Sequence, residues 1–222
     1  MKKVLIFDFD NCLAPATEVG EELFRPAFDA MRRANAGRLS EERLARAFAD
    51  VWRLPLDVVA SRHGFPDDVR EAAWEVFRGL EVARPMHGYG DLEALRALPA
   101  EKILVTTGFR RLQESKVRAL GIADCFGAIH VDAIDEPGHP GKLRIFEEIL
   151  RSEGLHPDEA LVIGDNADAE IAAGRRLGIE TVQTLRPGVP HADNATHRIR
   201  SLHELAAIAG SAAQPSRDRP DS

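Results

Sequence analysis

Cysteine and long apolar runs are scarce in this sequence, and each absence excludes a class of protein. Only two of the 222 residues are cysteines, Cys12 and Cys125, and they form no Cys-x-x-Cys pair. We therefore expect neither a disulfide framework nor a structural zinc site. The apolar runs are much shorter than the roughly 18 residues of a membrane helix, and Asp8 and Asp10 interrupt the first one too early for a signal peptide. A cytoplasmic protein with no membrane partner is expected.

Basic residues are also in deficit. Lysine and arginine total 29, against 36 aspartates and glutamates, and the net charge is −7. Because nucleic acids require a basic face, we expect no nucleic-acid partner. A small anionic substrate is still compatible with one locally positive site. Apolar residues make up 44% of the chain, which is enough for a sizeable core.

Five short apolar runs have the composition of buried strands. Because neither face alternates with polar residues, we expect parallel strands. The runs are Val4–Phe7, 103–105, 128–131, 160–163 and 181–184. Three helical stretches separate the later runs, and each ends at a glycine followed by an apolar residue, which is typical of a left-handed helix cap. The stretches are 111–120, 143–153 and 171–177. This alternation predicts an α/β fold with a doubly wound parallel sheet.

A long helical segment interrupts this rhythm after the first run. It separates Asp10 from Thr106 by 95 residues, whereas a whole βαβ unit takes about 30. The predicted helices are 21–34, 40–52, 56–63 and 67–80, followed by a helix at 88–98 that returns to the sheet. We interpret most of this segment as an inserted all-helical cap.

The resulting domain prediction has three parts. Residues 1–13 and 85–210 form a discontinuous α/β core, and residues 14–84 form the cap. Residues 211–222 contain no apolar residue other than alanine, so we expect a disordered tail.

Four polar motifs accompany the ends of predicted strands, at the edge where an open parallel sheet binds its ligands. The first is Asp8-Phe9-Asp10-Asn11-Cys12. Two carboxylates separated by one residue repel each other unless a cation or a proton lies between them, and their oxygens suit Mg²⁺. Alternatively, both aspartates only form the turn after the strand.

The second motif is Thr106-Thr107-Gly108, whose hydroxyl and backbone N–H groups suit a phosphate. Alternatively, Thr-Gly is only an ordinary turn.

The third motif is Lys142, at the start of a predicted helix. The helix dipole disfavours a cation there, so a bound anion or nearby carboxylates would have to offset the cost. The alternative is a solvated lysine. Leu143 stands where a P-loop has serine or threonine, so this is not a P-loop.

The fourth motif is the stretch GDNADAE at 164–170. Asp165, at a strand end, is well placed to bind a metal ion. Asp168 and Glu170 add negative charge to the first turn of the next helix. The alternative is that these acids only cap and stabilise that turn.

Taken together, the four motifs resemble those of the haloacid dehalogenase (HAD)-like hydrolase superfamily. Its members have a DxD after the first strand, a Thr or Ser after the second, a Lys, and a Gly-Asp pair followed by another acid. The likeness covers residues 2 to about 185, and the helical insertion resembles the family's C1-type cap. The resemblance implies a Rossmann-like HAD core and a Mg²⁺-dependent phosphatase. Such an enzyme would hydrolyse a small phosphate monoester through an aspartyl-phosphate intermediate.

The resemblance also implies roles for the motif residues. Asp8 would be the nucleophile, and Asp10 would first protonate the leaving oxygen and then deprotonate water. Lys142 would balance the charge of Asp8 and of the phosphoryl oxygens. The phosphoryl group would be held by Thr106, Thr107 and Gly108.

The implied Mg²⁺ ligands are the side chains of Asp8 and Asp165 and the backbone carbonyl of Asp10. Glu170 would be the outlying acid of the fourth motif, and Asp168 is less favoured in that role.

Two further residues belong to the first motif. Asn11 is expected to support the site. Cys12 stands where the family commonly has Thr or Val, and because a thiol is a weaker hydrogen-bonding group than a hydroxyl, reduced turnover is expected. A catalytic cysteine is disfavoured, because no histidine lies in the four motifs to activate it.

Three other functions stay open. A phosphomutase keeps both aspartates and passes the phosphoryl group to a second hydroxyl instead of water. Dehalogenases of the family lack the second aspartate, so Asp10 argues against that activity. A non-catalytic binding module would be expected to have lost at least one motif residue.

Side chains of the cap would determine which substrate is bound. The candidates are Arg25, Arg53, Arg62, His63 and His87. No oligomeric state is predicted.

Overall fold

The computed structural model describes residues 1–210 and contains a six-stranded sheet. The predicted tail at 211–222 lies outside the described residues. The strands are β1 (Val4–Phe7), β2 (Glu101–Gly108), β3 (Ala128–Ala133), β4 (Ala160–Gly164), β5 (Glu180–Thr184) and β6 (His197–Ile199). Their order is β3-β2-β1-β4-β5-β6, and each neighbouring pair is parallel. The predicted α/β fold with a doubly wound parallel sheet is confirmed.

Four helices follow β1, as the sequence predicts. They are α1 (Glu21–Asn35), α2 (Glu41–Asp50), α3 (Leu56–His63) and α4 (Asp67–Gly79). We call residues 21–79 the helical segment. α1 packs along α4, where the ring centroids of Phe24 and Phe77 are 5.0 Å apart, and Phe77 stacks on Phe109 at 5.5 Å. The helical segment therefore shares one core cluster with the sheet. The boundaries of a separate cap at 14 and 84 stay a prediction.

The central strands β1 and β4 are buried on both faces, which explains why their sequences lack polar alternation. In β1, Leu5 and Phe7 belong to one core cluster, whereas Val4 and Ile6 belong to another. The remaining helices are α5 (Ala94–Ala97), α6 (Arg110–Leu120), α7 (Gly141–Ser152), α8 (Ala172–Arg176) and α9 (Leu205–Gly210). No helix within residues 1–210 is long and apolar enough to cross a membrane.

The predicted left-handed caps are confirmed. Gly121, Gly154 and Gly178 follow α6, α7 and α8, with φ of 68°, 62° and 74°. These values lie in the region that glycine adopts without steric cost.

The prediction of a helix at 88–98 is wrong for most of its length. Turns occupy its first half, where Gly88 has φ of 66°, and only the four residues of α5 are helical. Asp91 directs its carboxylate to the backbone N–H of Leu202, at 2.9 Å. The helix ends before Pro99, as expected for a residue that precedes proline.

Three other differences concern one additional strand and two element boundaries. β6 was not predicted, because His197–Ile199 is short and mostly polar. β2 continues through Gly108, so the second motif belongs to the strand instead of following it. The predicted helix at 171–177 begins earlier, with a π-helical turn over Ala167–Ile171.

Candidate active site

Strand order brings the predicted motifs to one cavity. β1 lies between β2 and β4, with Phe7 in register with Ile163. The N–H of Asp8 still donates to the carbonyl of Ile163, at 2.8 Å. The chain then turns at Asn11, whose φ of 55° is better tolerated by asparagine than by most residues. Both Asp8 and Asp10 line the cavity as a result.

Three buried acids meet in this cavity. Carboxylate oxygens of Asp8, Asp165 and Glu170 lie within 4.8 Å of one another. The Nζ of Lys142 lies 2.7 Å from Asp8 Oδ1 and 2.8 Å from Glu170 Oε2. Three carboxyl groups therefore face one ammonium group, and this arrangement suits an additional cation with oxygen ligands.

Burial has the largest effect on the pKa values of Asp8 and Asp165. It raises the pKa of Asp8 to about 7 and the pKa of Asp165 to about 9, and the charge of Glu170 adds to both shifts while Lys142 opposes them. Burial also disfavours the ammonium form of Lys142, but the charges of Asp8 and Glu170 outweigh burial and raise the pKa of Lys142. Lys142 is thus held as a cation.

Glu170 reaches the cluster because the chain makes the π-helical turn directly after Asn166. Its Oε1 accepts the backbone N–H of Asn166 at 2.5 Å, while Oε2 faces Lys142. Gly164 leaves the necessary room, because a Cβ at this position would collide with the Glu170 side chain. A glycine at the end of β4 therefore permits this acid to approach the strand.

The start of α7 is fixed by Asp132, which belongs to none of the four sequence motifs. Asp132 Oδ1 accepts the N–H of Gly141 at 3.0 Å, and its Oδ2 accepts the Thr107 hydroxyl at 3.2 Å. A carboxylate is favourable at a helix N-terminus, so Asp132 helps to offset the presence of Lys142 in the first turn. An acid directly after the predicted strand at 128–131 is the signal that could have identified it.

Two residues of α6 also line the cavity, although neither belongs to the four sequence motifs. The Nζ of Lys116 lies 2.9 Å from each carboxylate oxygen of Asp10. Gln113 Nε2 lies 3.0 Å from Asp10 Oδ2 and 2.7 Å from the hydroxyl oxygen of Thr106. Lysine and glutamine three residues apart share a helix face. Their spacing is the available signal, and it is a weak one in a helix rich in polar residues.

Cys12 is buried beneath the turn of the first motif. Burial raises the pKa of its thiol well above the ordinary value, and the charge of Asp8 adds to the shift. A protonated thiol is a poor nucleophile, which argues against a catalytic cysteine.

Arg186 stabilises the turn that contains Cys12. Its Nε donates to the Cys12 carbonyl at 3.1 Å, and its Nη atoms pair with Asp91 at 2.9 and 3.0 Å. Arg186 was also missed, because a lone arginine after a strand carries no signal.

The model of the haloacid dehalogenase-like hydrolase family matches residues 2–178. This chain belongs to that family. The glyceraldehyde 3-phosphate phosphatase of Methanopyrus kandleri is 29% identical over 84% of this chain and 85% of its own. The phosphoserine phosphatase of Thermus thermophilus is 30% identical over 64% of this chain and 58% of its own. A solved structure of a HAD phosphatase from Thermococcus onnurineus has the same fold, with a TM-score of 0.61 at 22% identity over 95% of this chain and 98% of that one. The predicted family is confirmed.

Two supporting residues of the HAD-like hydrolase lie in different surroundings. Asn11 ties its turn to neighbouring backbone: Nδ2 donates to the Trp52 carbonyl at 3.3 Å, and Oδ1 accepts the N–H of Ala16 at 3.1 Å. Asp168 is exposed and lies outside the acid cluster, and its N–H donates to Asn166 Oδ1 at 3.0 Å. Glu170, and not Asp168, is the second acid that reaches the cluster.

Among the five substrate-contact candidates of this HAD-like hydrolase, Arg53 lines the cavity. Its Nη1 donates to the carbonyl of Gly188 at 2.6 Å, which links the helical segment to the loop after β5. The other candidates do not line the described cavity; they are Arg25, Arg62, His63 and His87.

The cavity has a polar floor at the strand ends and an apolar wall. Its volume is about 120 Å³. The wall is formed mainly by side chains of the helical segment and of α6 with its preceding residue. They include Phe24, Trp52, Leu56, Phe77, Phe109 and Leu112.

Proposed function

We propose that this HAD-like hydrolase is a Mg²⁺-dependent phosphatase that hydrolyses a small phosphate monoester through an aspartyl-phosphate on Asp8. The observation that carries the proposal is the 2.7 Å contact of Asp8 with Lys142 in a cavity that also contains Asp10. A nucleophilic carboxylate, a fixed cation and a second carboxylate supply what phosphoryl transfer to an enzyme requires. Two relatives named as phosphatases support the same reaction.

The residues of the acid cluster fit Mg²⁺. The ion prefers oxygen ligands, and the cluster combines three carboxyl groups with pKa values raised at Asp8 and Asp165. The side chains of Asp8 and Asp165 and the backbone carbonyl of Asp10 would hold it, and Glu170 would keep Lys142 in place. When bound, Mg²⁺ supplies positive charge beside the phosphoryl oxygens.

The proposed reaction has two half-reactions. In the first, a carboxylate oxygen of Asp8 attacks phosphorus, the ester P–O bond breaks, and the proton of the Asp10 carboxyl group passes to the leaving oxygen. In the second, Asp10 takes a proton from water while the water oxygen attacks phosphorus, and the bond between phosphorus and Asp8 breaks. Inorganic phosphate leaves, and Asp10 is protonated again. The phosphoryl oxygens are held by Thr106, by the N–H groups of Thr107 and Gly108, and by Lys142.

The apolar wall of the cavity indicates which chemistry the alcohol part of the substrate has. In the proposed function the helical segment is the C1-type cap, and it encloses the alcohol. Asn11 already uses its side chain on the backbone of Trp52 and Ala16. A buried hydroxyl group of the substrate without a partner would weaken binding. We therefore expect a compact, mostly apolar alcohol, with Arg53 available at the rim for one hydrogen-bond acceptor.

The presence of Asp10 favours ester hydrolysis over dehalogenation. A halide leaves without a proton, whereas an alkoxide requires one. The presence of Asp10 in the cavity therefore favours an ester as substrate.

Phosphate release from a panel of small esters tests the proposal. The wild type, Asp8→Asn and Asp193→Asn are compared with Mg²⁺ and with EDTA. Asp193 is fully exposed and does not line the cavity, so it provides the matched control. The wild type and Asp193→Asn should release phosphate only with Mg²⁺, and Asp8→Asn should be slower by at least about 10³-fold.

Each other outcome identifies an alternative. Undiminished turnover by Asp8→Asn would contradict the nucleophile. A protein that binds Mg²⁺ but releases phosphate from no ester would favour the binding module. Transfer of the phosphoryl group to a second hydroxyl would favour the phosphomutase.

A further inference from the structure

Lys116 of α6 contacts the carboxylate of Asp10, although it belongs to none of the four motifs. Its Nζ lies 2.9 Å from both carboxylate oxygens, and only 6% of the Lys116 side chain is exposed. Burying an ammonium group is costly unless a charge partner offsets the loss of water. Leu112 and Val117 of the same helix are buried apolar residues, so an apolar residue at 116 would satisfy packing alone. What the lysine adds is its contact with Asp10.

Gln113 connects the same carboxylate to β2. Its Nε2 lies 3.0 Å from Asp10 Oδ2, 2.7 Å from the Thr106 hydroxyl oxygen and 2.9 Å from the Thr107 carbonyl. All three partners can accept a hydrogen bond from the amide group. Gln113 thereby fixes Asp10 relative to the strand end where the phosphoryl group is proposed to bind.

We propose that Lys116 is a positioning residue that orients Asp10 for proton transfer to the leaving oxygen, with Gln113 setting the distance from Asp10 to Thr106. The inference rests on the proposed function, because it concerns the first half-reaction of that mechanism. A carboxyl group can rotate about its side-chain bonds. Contacts to both oxygens restrict that rotation, and a reacting group oriented in advance lowers the barrier of its step.

The test measures single turnovers, in which release of the alcohol reports the first half-reaction alone. Two esters are used: p-nitrophenyl phosphate, whose phenolate leaves readily without a proton, and butyl phosphate, whose alkoxide requires one. Lys116→Met removes the ammonium group and keeps a long side chain. Because general acid catalysis contributes at least about 10²-fold, butanol release should slow by roughly that factor, whereas nitrophenol release should change by less than about threefold.

Three variants control the measurement. Lys102→Met alters another partly buried lysine, whose Nζ donates to backbone carbonyls at 3.1 and 3.0 Å outside the cavity, and both rates should be unchanged. Lys116→Gln should show the same selective loss, and it serves if the methionine variant does not fold. Asp10→Asn should reduce butanol release, and adding Lys116→Met to it should reduce the rate little further, because both residues act on one step.

The outcomes separate the inference from the proposed function. Equal slowing of both esters, or no slowing of either, would overturn the positioning role of Lys116 while the phosphatase stands. Additive losses in the double variant would also overturn it. A wild-type protein that releases no alcohol from either ester would instead contradict the proposed function.

Discussion

The acid cluster couples the stability of the protein to pH. Because the pKa of Asp8 is raised to about 7 and that of Asp165 to about 9 from an ordinary value of 3.8, the folded chain binds more protons at these groups than the unfolded chain does. The free energy of unfolding contributed by these groups then falls as the pH rises from about 4 to about 9. We expect the melting temperature in EDTA to fall over this range, and Mg²⁺ to raise it most at high pH.

Asp165→Asn provides the control for this pH dependence. It removes the carboxyl group with the higher pKa, so the decline above neutral pH should become shallower. Differential scanning calorimetry at several pH values measures both proteins. A wild-type melting temperature in EDTA that is the same at about pH 5 and about pH 9 would show that the folded cluster does not hold these protons.

Among individual residues, the site residues that the sequence predicts are those next to strand ends. Asp8 and Asp165 are visible because an apolar run precedes each of them, and parallel strands end at a common edge. Lys116 and Gln113 have no such marker. Their role depends on which face of α6 turns toward the cavity, and that is decided by packing between distant parts of the chain.

The π-helical turn after β4 is the element that positions Glu170, and it depends on Gly164. In Gly164→Ala the added Cβ would collide with the Glu170 side chain and displace it from Lys142. We expect an overpacking cost of about 1–3 kcal/mol in the free energy of unfolding, and a loss of phosphate release. Urea denaturation and the phosphate assay measure the two effects.

Gly79→Ala is the matched control for this substitution. A Cβ at Gly79, the last residue of α4, meets no atom within 4 Å. Because alanine favours a helix more than glycine does, this variant should be neutral or more stable by up to about 1 kcal/mol. If both variants behave alike, the close approach of Glu170 to the strand does not constrain position 164.

Elements with a simple burial pattern were predictable, and elements set by tertiary contacts were not. β1 and β4 are buried on both faces and therefore form clear apolar runs. The predicted helix at 88–98 fails because Asp91 is bound by Arg186 and by the N–H of Leu202, and these partners come from the far end of the chain. No local pattern contains that information.

At the scale of the whole molecule, one apolar cluster joins the sheet to the helical segment. Phe109 is buried at this junction and contacts Trp74 and Phe77 at ring-centroid distances of 5.1 and 5.5 Å. Phe109→Ala should therefore reduce the free energy of unfolding by about 3–5 kcal/mol. Urea unfolding should stay a single transition, because both parts depend on the same core.

Val58→Ala, at an exposed position of α3, is the control and should change the free energy of unfolding by less than about 0.5 kcal/mol. Intrinsic fluorescence follows the helical segment through Trp52 and Trp74, and circular dichroism follows the whole chain. Two separate transitions in the wild type would mean that the sheet and the helical segment unfold independently.

The polar floor and the apolar wall of the cavity come from different stretches of the chain. The floor is built by strand ends, whereas residues 51–56 of the helical segment contribute a compact part of the wall. In the proposed phosphatase, substitutions at those six positions should therefore alter which alcohol part of the ester is accepted, without changing the residues proposed to break the ester bond. A small library of variants at positions 51–56 would therefore be a practical starting point for engineering the substrate selectivity of this cavity.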